Sequence, residues 1–216
     1  MKKMWVMTMS CVLLGSAIQA GLAPTYLPSS SYYQGRHSFA YDLGAQGILS
    51  GHLEFAVYKG TEAEVMMDWT GYQGQAQYVY AYQVFNDGAN SNAALTYFAL
   101  TGINPGSIGS VTEDIGQAES VGSFDSEGIA PEGDGYFNAS VTKAIWTFAD
   151  GTLIKGTQSW FLFLYSNYDW IKGDMEVQTT QNDDIPIPDD SNNNIPEPAT
   201  MLLLVSGLVL SGLRKK

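Results

Sequence analysis

Ser159-Trp160-Phe161-Leu162-Phe163-Leu164-Tyr165-Ser166 sets six consecutive large apolar or aromatic side chains between two serines. Successive side chains of a strand point to opposite faces, so a run that is apolar at every position marks a central strand covered on both sides. Around it the pattern alternates. Leu53, Phe55 and Val57 point one way, with Glu54 and Ala56 opposite. Tyr78, Tyr80, Tyr82 and Val84 line one face of a second run, and Leu95, Tyr97 and Ala99 one face of a third. Trp146 and Phe148 do so in a fourth, and residues 173–178 read as a last strand.

Turn signals separate these runs: Asn86-Asp87-Gly88, Asn104-Pro105-Gly106, Glu132-Gly133-Asp134-Gly135 and Asn167, with a glycine-bearing stretch at 71–74. Asp150-Gly151 supplies the positive-φ residues of a hairpin turn. The mix is rich in Gly, Tyr, Thr and Val, which suits strands, and no long stretch keeps a 3.6-residue period. Without a fixed internal repeat, a propeller or β-helix is disfavoured. The expectation is an all-β fold in which residues 21–177 form a single antiparallel β-sandwich, jelly-roll or Ig-like. Flanking it are an N-terminal signal helix and a C-terminal transmembrane helix.

Charge is partitioned along the chain. All 22 acidic residues lie within 21–198, where only Arg36, Lys59, Lys143, Lys155 and Lys172 oppose them, a net of −17. Such a body repels nucleic acid. Residues 178–195 are polar, acidic and proline-bearing, a composition that buries too little apolar area to fold, and they read as a disordered acidic tether.

The ends carry addresses. Lys2 and Lys3, the largely apolar stretch 4–18 and the small residues around Ala17 and Ala20 make residues 1–20 a secretory signal peptide, cut after Ala20 or Ala23. Cys11, the one cysteine, lies inside it, and Met7-Thr8-Met9-Ser10 does not precede it as a lipidation site would require. The exported body then uses neither disulfides nor thiol chemistry. At the other end, residues 199–213 are 15 residues without a charge. As a helix they extend about 22 Å against a hydrocarbon core of about 30 Å. Arg214, Lys215 and Lys216 form a basic stop that lengthens the span by snorkelling and holds the tail on the cytoplasmic side. Pro196, Glu197 and Pro198 precede the span. The two prolines keep this segment extended and accessible to an enzyme.

Motif, apolar helix and basic tail in this order resemble the PEP-CTERM protein-sorting domain of bacteria, over residues 196–216. The resemblance implies recognition of Pro196, Glu197 and Pro198 by an exosortase, a membrane protease-transpeptidase. It also implies removal of the tail near the motif and delivery of the body to the cell surface or its exopolysaccharide. A C-terminal anchor that is never cut satisfies the same membrane physics. The order of strands around Trp146-Thr147-Phe148 also loosely resembles bodies found ahead of this signal, without implying an activity.

Catalytic and metal constellations are not recognised. His37 and His52 are the only histidines, fewer than a metal site needs on its own. His52 shares a strand face with Glu54 and reads as a surface polar pair before an acid-base pair. No G-x-S-x-G or calcium loop is present. The carboxylate pairs Glu62/Glu64, Glu113/Asp114 and Asp183/Asp184 read as solvated loops, and Gly44, Gly47 and Gly51 lack the strand-to-helix context of a phosphate cradle. No cofactor is expected. The aromatic stripe Tyr78, Tyr80, Tyr82, with Trp69, Tyr72, Trp160 and Trp170, has two readings: core packing, or a platform stacking on sugar rings. The function read from the sequence is an exported surface or matrix protein, structural or adhesive in biofilm. A carbohydrate-binding module and a polysaccharide-active enzyme are the alternatives.

Overall fold

The computed structural model describes residues 22–178 and 180–188. These form a mostly β fold with antiparallel sheets and one α-helix. The signal segment 1–20, the motif Pro196–Glu197–Pro198, the span 199–213 and the basic stop Arg214–Lys216 lie outside the described residues.

In chain order the strands are β1 (Tyr33–Asp42), β2 (Ile48–Lys59), β3 (Tyr78–Asn86), β4 (Tyr97–Thr101), β5 (Ile115–Ala118), β6 (Ser120–Val121), β7 (Phe124–Asp125), β8 (Tyr136–Phe137), β9 (Lys143–Thr147), β10 (Thr157–Gln158), β11 (Phe161–Ser166), β12 (Trp170–Val177) and β13 (Thr180–Pro188). The first sheet runs β1-β2-β3-β11-β5, with β10 beside β3; the second runs β13-β12-β4-β9-β8; β6 and β7 pair with each other.

The eight-residue run quoted above supplies β11, which is buried at every position. β3, its neighbour, is buried throughout as well. Their two faces do different work. Tyr80, Tyr82, Leu162 and Leu164 join Phe98, Trp146 and Met175 of the second sheet in one core. Val79, Ala81, Phe161 and Phe163 face the other way into a second cluster with Leu27, Met66 and Val121. The first sheet is therefore covered on both sides, as an uninterrupted apolar strand requires.

What covers the outer face is the segment 22–32, the β6–β7 pair and the helix α1 (Thr61–Thr70). No long 3.6-residue period predicted a helix here, and the helix that forms buries only Ala63 and Met66 of its ten residues. The local signals that form it are Glu62 and Glu64 in its first turn, where carboxylates favour the helix dipole, and Gly71 at its end. Gly71 adopts φ 71°, and Tyr72 N–H donates to Met67 C=O at 3.0 Å, closing the helix with a left-handed cap.

Two further elements depart from expectation. In the third run Leu95 pairs with Leu153 and enters the core. In β4, however, it is Phe98 and Leu100 that point inward, so Tyr97 and Ala99 sit on the opposite face. The turn at Asp150-Gly151 forms, with Gly151 at φ 72°, but the chain leaves it to meet Leu95 and then β3 rather than to pair back on β9.

The tether expectation is corrected over 180–188, which forms β13 along β12. The apolar area that composition denied it comes from Ile187, which is fully buried against the first-sheet and second-sheet core. Gly173 makes room: a methyl group there would overlap the Ile187 side chain. Tyr82 of β3 donates its phenol to the Pro186 carbonyl, and Ser107 Oγ donates to the Pro188 carbonyl at 3.3 Å. Two prolines are tolerated because β13 is an edge strand.

Candidate functional site

Tyr78, Tyr80 and Tyr82 project from β3 into the core, with Tyr80 and Tyr82 fully buried. Their period-two spacing puts them on the face that meets the second sheet, so the platform reading is corrected: no sugar reaches these rings. Tyr80 donates to the Tyr168 carbonyl at 2.8 Å, and burial raises both the Tyr80 and Tyr82 phenols well above the ordinary range.

His52 and Glu54 do share a face, but an interior one. Glu54 on β2 is fully buried and His52 nearly so, beneath the segment 22–32. Glu54 accepts from Thr25 N–H at 2.6 Å, from Thr25 Oγ1 at 2.8 Å and from the Arg36 guanidinium. His52 Nδ1 lies 2.9 Å from Asp87 and Nε2 lies 3.6 Å from Glu54, while the ring stacks on Phe85 at 4.3 Å. Burial raises the Glu54 carboxyl, but His52, Thr25 and Arg36 together outweigh it and lower the group from 4.5 to about 2. A carboxylate held ionised and engaged by several internal partners is suited to tying the N-terminal segment to the sheet, not to taking up protons near neutrality. Among the described residues no group of three or more His, Cys, Asp or Glu is placed to hold a metal ion.

The other pairs fall out differently. Glu62 accepts from Ser31 N–H at 3.2 Å and Ser30 Oγ at 3.3 Å, fastening α1 to the same segment. The side chains of Asp183 and Asp184 lie outside the described residues. Gly44 opens a three-residue 3-10 turn between β1 and β2, which presents no helix end to a phosphate.

Glu113 and Asp114 turn out to be unlike each other: Asp114 is buried and Glu113 is exposed. Asp114 accepts from Gly109 N–H at 2.6 Å, Ser110 N–H at 2.8 Å and the Tyr72 phenol at 2.6 Å. Tyr72 in turn lies flat on Tyr165, with centroids 3.9 Å apart and planes within 4°. Burial, and then Asp114, raises the Tyr72 phenol, and burial pushes Tyr165 up to about 12. Around this stack three connections meet at one end of the first sheet: the loop after α1, the β4–β5 loop and the β11–β12 turn. They enclose a cleft of about 390 Å³ whose rim includes Gln75, Glu113, Asn167 and Tyr168. Sequence reading found the Glu113/Asp114 pair but not the cleft, because its walls come from segments up to some ninety residues apart.

The outward face of the second sheet holds a more open groove of about 650 Å³ beside Tyr97 and Glu176. Lys143 Nζ donates to Glu176 at 2.6 Å and Tyr97 to the same carboxylate at 3.3 Å. Burial and then the Glu176 charge push Tyr97 up to about 12. Tyr136 of β8 stands on this face with about half of its surface in solvent. Among the described residues no helix is long and apolar enough to cross a membrane. No family model, curated protein or solved structure matches the chain.

Proposed function

We propose that this chain is an exported bacterial protein whose folded body is delivered to the cell surface or extracellular matrix through residues 196–216. There it serves a structural or adhesive role in exopolysaccharide or biofilm rather than a catalytic one. The observation that carries the reading is the succession of Pro196-Glu197-Pro198, 15 uncharged residues and Arg214-Lys215-Lys216. In bilayer terms it is an exposed motif, a short span and a basic stop. An exosortase-type membrane protease-transpeptidase is the partner it calls for, acting after the apolar span has anchored the chain in the membrane.

The body supports this reading. It carries no cysteine, so its stability rests on apolar burial and does not depend on the redox state of its compartment. We read its two antiparallel sheets, sharing one core, as a β-sandwich, the layer solution for strands with one apolar face each. Its buried carboxylates, Glu54 and Asp114, are engaged by internal partners, which favours a structural role for them. Because β13 ends at Pro188, seven residues of sequence separate the last strand from Pro196.

Intact-mass analysis of the protein recovered from its native host tests the reading. A species that begins after Ala20 or Ala23 and lacks Met201 onward is expected. A mature mass that still contains Arg214 to Lys216 would overturn processing, and a full-length soluble cytosolic chain would overturn export as well.

A further inference from the structure

We propose that the cleft between Tyr72, Asp114 and Tyr168 is a binding site for a neutral saccharide of one or two rings. The inference stands apart from export and processing, since it uses only the folded body.

Size and lining come first. A volume of about 390 Å³ lies within the range of small-ligand sites, which combine aromatic walls with a few convergent polar groups. Here the rim offers one exposed ring and three exposed hydrogen-bonding side chains. Tyr168 has 41% of its surface in solvent, and its main chain is fixed by Ser166 Oγ and by the Tyr80 phenol. Gln75 and Asn167 carry amides with both donors and an acceptor, and Glu113 a carboxylate. Asn167 spends its oxygen on Gln77 N–H at 3.2 Å, which leaves its two N–H donors for a ligand. An amide and a carboxylate across a cleft complement vicinal hydroxyls, which donate and accept at once. A tyrosine ring complements the apolar face of a pyranose.

Preorganisation comes second. The three loops are tied to one another before any ligand arrives, so binding need not order them. Asp114 gathers Gly109, Ser110 and Tyr72, and Ser166 Oγ donates to the Ser107 carbonyl at 2.8 Å. Rigid loops lose little entropy on binding, the cost that otherwise consumes weak hydrogen-bonding energy.

Charge decides the class. Glu113 and Asp114 are the charged residues of the lining, and no Lys, Arg or His faces them there. An anionic sugar or a phosphate meets two carboxylates with no cation, within a body of net −17. Among the described residues no group of three or more His, Cys, Asp or Glu is placed to hold a metal ion, and three of the Asp114 acceptor positions are already used.

Saturation-transfer NMR on the full-length chain in mild detergent tests this with cellobiose, maltose and chitobiose as neutral probes and digalacturonate as the anionic probe, and isothermal titration calorimetry tests calcium chloride alone. At least one neutral disaccharide is expected to receive saturation and digalacturonate none. Tyr168→Ala and Gln75→Ala should each weaken that binding about tenfold or more, whereas Tyr136→Ala on the second sheet should leave it unchanged. Both cleft side chains are exposed, so unfolding temperatures should hold; if Tyr168→Ala lowers it, Gln75→Ala carries the test. The proposal is overturned if no neutral disaccharide binds, if digalacturonate binds equally well, if the cleft variants bind like the unaltered chain, or if calcium alone binds and Glu113→Gln abolishes that binding.

Discussion

Glu54 carries the clearest single-residue consequence. Its folded value of about 2 lies below the ordinary 4.5, so the unfolded chain takes up the proton first as acid is added. Its contribution is complete above about 4.5 and is lost as pH falls toward 2, and it amounts to about 3 kcal/mol for a shift of this size. Urea unfolding of Glu54→Ala should therefore show a loss of about that size at pH 7 and little difference from the unaltered chain near pH 2. Equal losses at both pH values would mean that Arg36 and Thr25 do not hold the ionised form. The sequence places Glu54 beside His52 on one face, which the structure bears out. It does not place that face under residues 22–32, because Thr25 lies 29 positions away and nothing local links the two. The tyrosine stripe shows the same limit from the other side: period two says that three rings point together, not whether they meet solvent or a second sheet.

Among the elements, β11 was legible and β13 was not. An eight-residue run without a polar interior position has one stable destination, a strand covered on both faces. β13 owes its place to its buried end, Pro186, Ile187 and Pro188, with the Ile187 side chain seated over Gly173 and Gly102. Ile187→Ala should cost about 2–5 kcal/mol in denaturant unfolding and speed amide exchange along β12 and β13, since it removes a core contact from the buried end of β13. A loss under about 1 kcal/mol would mean that β13 is not part of the core. α1 lies between these cases. Its carboxylates and its closing glycine are visible in the sequence, but ten residues with two buried side chains leave too faint a periodic signal to register.

For the molecule as a whole, net charge sets the expectation. With 22 acidic against five basic residues in 21–198, mutual repulsion opposes the compact state. Raising salt from about 0.01 M to about 0.15 M shortens the Debye length from about 30 Å to about 8 Å. The unfolding temperature should rise by a few degrees, as scanning calorimetry will show. A flat or falling temperature would mean that the acidic residues are locally compensated. Class and composition were open to inspection from the chain alone. Alternation of apolar residues is a local property, and it obliges strands that must hide one face. The segregation of acidic charge away from both ends is likewise countable without coordinates. The cleft, the buried carboxylate network and the docking of β13 were not countable in this way. Each joins residues tens of positions apart, and their meeting depends on which strands pair and which face turns inward, a choice made by the packing of the whole chain.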